Sequence, residues 1–503
     1  METKGHEAEK PLAWLAVGGY GRGLLNPFSD VDVMVLHPGE ISPYLEDMVS
    51  TAFHLFWDTG LPVSHSCRSI AETQKVMRED SWIATSVLES RCLAGDQALY
   101  EQFRKEVVAD FLAKNRYQFV EQKIVEAEKR HKSEGGSVYL TEPNVKENAG
   151  GLRDMNMVFW TGTALAGDPA AMRVPGLVQP DERQMARAMK AYELQLRIRT
   201  EMHLRAGRRS DVLDRGTQAD IAAAFGYKDS DGASALSAFM RDYLLAAREV
   251  NGLLRTLVSR FRYLRRIQHG MAARVGRRVL ERDFVAVGDR IFLGRNDLFD
   301  GPGGRRNMMR IFLCSQRHRL EVSEEALQHI RHQIHRVDDA FRQDPEVAAM
   351  FMEILRGASG VADTLQAMAE SGLLGEYLPE FGELDCLVHY EAYHDYTVDE
   401  HTLMSIRTID ELSSADSELD RPKREILAQV TRPCLLKLAL LLHDIGKPRG
   451  SEHTERGATM IPLIARQLSL PEPDGKLVMF LVENHLAMAD LSQRRDFNEE
   501  GVL

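Results

Sequence analysis

Apolar and polar positions follow two different periods along this chain. Residues 12–19, LAWLAVGG, form a short apolar run closed by two glycines, and 31–36, VDVMVL, form a second one with β-branched residues in alternation. Gly, Asn, Pro and Ser punctuate the interval, so the pattern predicts a strand, a Gly-rich turn with a helical turn, then a strand. A third strand is expected around Leu61–Ser66. From about residue 97 to 265 the spacing becomes helical. Met185, Met189, Tyr192 and Leu196 recur at four, three and four, as do Phe239, Tyr243, Ala246 and Val250. Both stripes are expected to be core packing between helices.

Residues 283–313 hold a short β-like stretch and the loop GRNDLFDGPGGRR, whose glycines mark a hinge or exposed turn. Helical spacing resumes near 322. A polar stretch, DELSSADSELDRPKRE (410–425), interrupts it and reads as an exposed loop. Pro433 then opens a helix through LLKLALLLHDIGK, because proline is tolerated in a first helical turn.

At roughly 150 residues per domain, a 503-residue chain suggests about three domains. The boundaries read as a core at 1–100, a helical region at 101–270, a linker at 271–320 and a helical domain at 321–503. Lys plus Arg is 63 against 75 Asp plus Glu, a net charge of −12. That balance argues against a nucleic-acid polymer as partner, which normally wants a basic footprint, but leaves small nucleotides open. The five cysteines are dispersed and never form CxxC, as in a reduced, cytoplasmic protein. The N-terminus, METKGHEAEK, lacks the apolar stretch of a signal peptide. The run Leu435–Leu442 is too short to span a bilayer, so no membrane role is expected.

The first chemical constellation is GGYGRGLLNPFSDVDVMVLH, residues 18–37. Asp30 and Asp32 are two apart on a strand and share a face. Paired carboxylates beside a Gly-rich turn suit Mg²⁺ (or Mn²⁺), which clamps the attacking and leaving oxygens of a phosphoryl or nucleotidyl transfer. Gly18 and Gly19 let backbone N–H groups approach a triphosphate, Arg22 can neutralise its charge, and Ser29 can hold the turn or a phosphate oxygen. These residues resemble the polymerase-β-type nucleotidyltransferases. The fuller string, with LFWDTGLPVSHSCRSI, EPNVKENAGGLRDMNMVFW, LRIRTEMHLRAGRRSDVL and YHDYTVDEHTL, is similar in particular to the bifunctional PII uridylyltransferase/uridylyl-removing family. The resemblance implies an α+β chain: a nucleotidyltransferase core, a helical extension and an all-α HD domain. It places 142–160, with Lys146, Arg153 and Asp154, in the extension that packs on the core, near nucleotide or core. GGLRD reads equally well as a helix start with an Arg–Asp surface pair. The polymerase-β pattern wants a third carboxylate on a later strand; LPVSHSCRSI has none, and His65 is a weak stand-in.

The second constellation is His443–Asp444 at the end of an apolar helix. Two adjacent ligands hold a divalent metal only if others arrive from elsewhere, and His401, His453, His485 and Asp496 are candidates. Imidazole with carboxylate suits Mn, Fe, Zn or Mg, on which a bound water becomes a nucleophile near neutral pH. The order H…HD…H…H…D resembles the HD phosphohydrolases. Lys447 reads either as a phosphate contact or as a solvated cation at a helix C-terminus.

Together the resemblances imply transfer of UMP from UTP to a tyrosine of the PII signal protein, and hydrolysis of that linkage. The family carries an additional segment before its GG turn, where 17 residues precede Gly18 here, and glutamine-binding ACT domains beyond the HD domain. This chain stops seven residues after Asp496, so a glutamine response is not expected. A tRNA-nucleotide-adding transferase and an inactive PII-binding regulator remain as alternatives.

Overall fold

The computed structural model describes residues 11–39, 41–172, 174, 176–229, 234–268, 278–295, 297–301, 303–388, 396–412, 420–449 and 452–489. The chain divides into two compact units: residues 1–138, 142–224 and 245–264, and residues 139–141, 225–244 and 265–503.

The first unit is built on a four-stranded sheet of β1 (Ala13–Ala16), β2 (Val31–His37), β3 (Val63–Ser69) and β4 (Arg91–Gly95), in the order β3-β2-β1-β4. β2 runs parallel to β3, and β1 is antiparallel to both its neighbours. The three expected strands are present. The fourth was not foreseen: its residues, RCLAG, are mostly exposed and carry no apolar alternation. The helices Pro43–Asp58, Ile70–Glu79 and Ser81–Leu88 were not foreseen either. On one sheet face Val33 and Val35 pack with Val49 and Phe53 of the helix Pro43–Asp58. Strand alternation therefore sends Asp32 and Met34 to the other face.

Long helices follow, among them Asp110–Ser133, Leu152–Leu165 and Glu182–Ala206. Of the two expected stripes, Phe239, Tyr243, Ala246 and Val250 are all buried. The other is rotated: Met189 is 42% exposed, and the helix buries Gln184, Ala188, Tyr192, Gln195, Arg199 and His203. The expected stripe is thus only partly buried, with Tyr192 inside and Met185 and Leu196 half-buried, because polar side chains share the buried face with Ala191, Ile198 and Met202.

In the second unit, β5 (Arg278–Leu280), β6 (Phe284–Val287) and β7 (Arg290–Leu293) form a meander, and β8 (Glu321–Val322) joins β7 in parallel. Helices pack around a core that includes Phe312, Phe351, Tyr377, Leu438 and Ile445. The helix Pro433–Leu442 begins at Pro433 as expected. Its Lys437 is buried rather than solvated, at 2.8 Å from Asp410 and 2.9 Å from the Gly357 carbonyl. The polar stretch 410–425 is not a continuous loop. A helix ends at Leu412, another begins at Arg421, and 413–419 lie outside the described residues. The helix Arg421–Ala428 buries no side chain, which is why no apolar period announced it.

Candidate active sites

The first site lies where β1 ends and β2 begins. A single helical turn, Gly18–Gly21, follows β1, and Gly18 has φ +56°. A Cβ there would sit 3.0 Å from Asp32 Oδ2 and 3.4 Å from Ser86 Oγ, so only glycine leaves the Asp32 carboxylate clear. Asp30 is exposed and immediately precedes β2. Burial pushes the Asp32 carboxyl up, the Asp30 charge adds to this, and the Arg22 and Lys146 charges oppose it. A carboxylate pair whose charges hinder one another suits a bound divalent cation. Asp32 also borders a cavity of about 190 Å³ whose lining includes Ser64, Ser66, Arg68 and Ser86.

Arg22 is held by an ion pair with Glu89, whose carboxylate also accepts from Trp160 Nε1 at 2.5 Å. The Ser29 hydroxyl is buried with no hydrogen-bond partner among the described residues. His65 does not stand in for a third carboxylate. It pairs in register with Val33, and its ring lies 4.2 Å from Phe53 and 5.2 Å from Trp57, on the sheet face opposite Asp32. β3 itself carries no acid, as the sequence indicated.

The loop 142–151 adds a group that residue spacing had left undecided. Its backbone is locked: Val145 N–H donates to the Asp211 carbonyl at 2.8 Å, and Lys146 and Glu147 N–H donate to Asn144 Oδ1 at 3.1 and 3.0 Å. Asp154 is fully buried, not a surface partner of Arg153. It binds Arg130, His131 at 2.8 Å and the Gly150 N–H at 2.7 Å. Arg153 pairs with Glu147 at 3.0 Å instead. Lys146 lies farther from Glu147, at 3.8 Å. Burial and then the Arg153 and Arg209 charges push its ammonium down to about 8, only partly opposed by Glu147. Such a cation gains strongly from any anion that reaches it.

The second site brings together His401, His443, Asp444, His453 and His485; Asp496 lies outside the described residues. Asp444 Oδ2 is 3.1 Å from His443 Nε2, and its Oδ1 is 3.7 Å from His453 Nε2 and 3.8 Å from His485 Nε2. The His401 and His443 ring centroids are 5.7 Å apart. His443 Nδ1 donates to the Leu440 carbonyl at 2.7 Å, and His485 Nδ1 to the Val482 carbonyl at 2.8 Å. With Nδ1 bonded to a carbonyl, each ring leaves Nε2 to face Asp444. A divalent metal that replaces the Nε2 proton would find imidazole and carboxylate donors already turned toward one point, and the donor set fits such an ion.

Burial alone would raise the Asp444 carboxyl. The His443 hydrogen bond and charge, with the Lys447 ammonium, outweigh it and hold the group well below the usual carboxylate range. Lys447 is neither solvated nor free for phosphate: it is buried, 2.9 Å from Asp444 Oδ2. Gly446 closes the arrangement, since a Cβ there would lie 2.1 Å from the His453 carbonyl oxygen. Its bare backbone allows the helix His453–Gln467 to come in against the turn.

Three family models match the chain: GlnD PII-uridylyltransferase over residues 118–258, the third domain of uridylyltransferase GlnD over 284–377, and the HD domain over 398–502. Curated relatives named bifunctional uridylyltransferase/uridylyl-removing enzyme align along nearly all of it. Those from Phenylobacterium zucineum, Cereibacter sphaeroides and Azospirillum brasilense are 34%, 33% and 32% identical over 97%, 98% and 97% of this chain. The chain spans about half the length of these relatives, 53%, 53% and 52% respectively. No helix among the described residues is long and apolar enough to cross a membrane.

Proposed function

We propose that this chain carries two opposed activities. At the Asp30/Asp32 site it transfers UMP from UTP to a tyrosine of the PII signal protein, and at the His443/Asp444 site it hydrolyses the product. The observation that carries this reading is the histidine cluster around Asp444, in a chain that also holds a Gly18-backed aspartate pair. The similarity to the uridylyltransferase/uridylyl-removing enzymes supplies uracil and PII.

In transfer, the tyrosine oxygen bonds to the α-phosphorus, the bond to the pyrophosphate oxygen breaks, and the hydroxyl proton leaves to solvent. Asp30 and Asp32 would hold Mg²⁺ or Mn²⁺, which when bound lowers the charge barrier between attacking and leaving oxygens. Gly18 and Gly19 offer backbone N–H groups to the phosphates. Arg22, kept in place by Glu89, and Lys146 supply positive charge, and the buried, unpartnered Ser29 hydroxyl offers a donor.

In removal, a water oxygen bonds to phosphorus and the bond to the tyrosine oxygen breaks, releasing UMP and the free hydroxyl. His401, His443, Asp444, His453 and His485, with Asp496, would hold a divalent metal whose bound water is acidic enough to attack at neutral pH. The Leu440 and Val482 carbonyls keep His443 and His485 in the tautomer that ligation requires. Lys447 keeps Asp444 ionised.

Incubating the full chain with UTP labelled in its uridylyl group, PII and an equal amount of tRNA tests the reading. Label is expected on PII and is released again as UMP. Label on tRNA, or on neither acceptor, would contradict it.

A further inference from the structure

The stretch LRIRTEMHLRAGRRSDVL has no place in either reaction as described, yet its side chains reach the loop just ahead of the aspartate pair. Asn26 is buried beneath the helix Glu182–Ala206, some 170 residues away in sequence. Its Nδ2 donates to the Leu196 carbonyl at 3.0 Å and to Thr200 Oγ1 at 2.8 Å. Its Oδ1 accepts from Arg199 Nη1 at 2.7 Å. One residue on, the Pro27 carbonyl accepts from His203 Nδ1. Arg199 is itself fixed by Asp211 at 2.7 Å, and Asp211 also lies 3.4 Å from His203 Nε2. Every polar atom of the Asn26 amide is thus used, and the bond from Arg199 is buried, where a lost partner is costly.

The chain just beyond this anchor is strained. Phe28 has φ +58°, a left-handed conformation that bulky residues seldom adopt, and the residue is only half-buried, 48% exposed. Two residues later comes Asp30. Without the anchor, Phe28 would relax toward the extended region and carry Ser29 and Asp30 with it, whereas Asp32 is fixed in β2.

We propose that Arg199, acting through Asn26, is a positioning residue for the transferase site. Together with His203 and Asp211 it holds the 26–28 loop in its strained form, so that Asp30 and Asp32 stand at the separation one divalent cation and a nucleoside triphosphate require. This rests on the transferase reading of that site. It differs from plain structural stabilisation in one respect: its loss shifts the metal requirement, not just the melting temperature.

The test uses the full chain and the variants Asn26→Ala, Arg199→Lys and Arg199→Met, with Asp30→Ala/Asp32→Ala as the site control. Mn²⁺ binding is read by electron paramagnetic resonance, Mg²⁺ dependence by UMP transfer and folding of the whole chain by thermal melting, with UMP removal as the control for the second unit. Asn26→Ala leaves the Arg199–Asp211 pair intact. It is expected to raise the Mg²⁺ concentration for half-maximal transfer about tenfold and to weaken Mn²⁺ binding in parallel, with removal unchanged. Arg199→Lys, which keeps the charge but loses the planar fork, should fall between parent and Asn26→Ala. If Arg199→Met fails to fold, those two variants decide. Parent-like metal dependence in Asn26→Ala and Arg199→Lys would overturn the proposal. A parent chain that binds Mn²⁺ through Asp30 and Asp32 yet transfers no UMP would instead overturn the functional reading, and Mn²⁺ affinity would still test the anchor.

Discussion

The two candidate sites would hold a divalent cation with side chains in opposite ways. Around Asp444 the order is local. His443 and His485 each bond a carbonyl three residues back, and Lys447 reaches Asp444 from the next turn. The carboxylate is buried and already ionised. Around Asp30 and Asp32 little is local: one acid is exposed, the other is pushed up by burial, and the balancing charges come from Arg22 and Lys146. The first arrangement is preorganised for its ion. The second depends on distant residues and on its substrate to complete the charge balance. Such a site should be tuned by conditions where the other is switched off only by breaking it.

Glycine substitutions should expose this difference most strongly. Gly446→Ala forces a Cβ to 2.1 Å from a backbone oxygen, and the helix carrying His453 must move away. A cost on the order of 2–3 kcal/mol is expected, with metal lost from the second unit and UMP removal down at least a hundredfold. Metal analysis beside the removal assay checks this. Gly18→Ala meets the end of a side chain at 3.0 Å and takes on a left-handed φ, so transfer should fall about tenfold to a hundredfold while the protein melts close to the parent temperature.

A smaller effect is expected from pH. The Lys146 ammonium, at about 8, is charged below that value and loses its charge as pH rises through it. An anionic triphosphate favours the charged form, so KM for UTP should rise several-fold between pH 7 and 9. Lys146→Arg should flatten the rise, because guanidinium stays charged throughout. An identical profile in the two proteins would remove Lys146 from the nucleotide site.

The smallest effect bears on what the amino-acid pattern could reveal. The His443–Asp444 pair was legible because few other roles suit several histidines in that order beside an apolar helix. The strands at 13–16 and 31–37 were legible from their apolar runs. β4 was not, since RCLAG is mostly exposed, and neither was the Asn26 anchor, whose partners lie some 170 residues away and follow no period. The stripe through Met189 misled because the buried face mixes Ala188, Ala191, Ile198 and Met202 with Gln184, Gln195, Arg199 and His203, polar side chains that each make at least one hydrogen bond there. Met189→Gln should accordingly shift stability by less than about 0.5 kcal/mol, measured by thermal melting. A loss of several times that would restore Met189 to the core.

The central claim is that one chain holds two separable metal-dependent reactions on the same phosphodiester. It is tested most directly by measuring transfer and removal side by side in Asp30→Ala/Asp32→Ala and in His443→Ala/Asp444→Ala. The first variant should lose transfer and keep removal at the parent rate, and the second should lose removal and keep transfer. Loss of both activities in both folded variants, or parent-rate transfer without Asp30 and Asp32, would contradict the assignment.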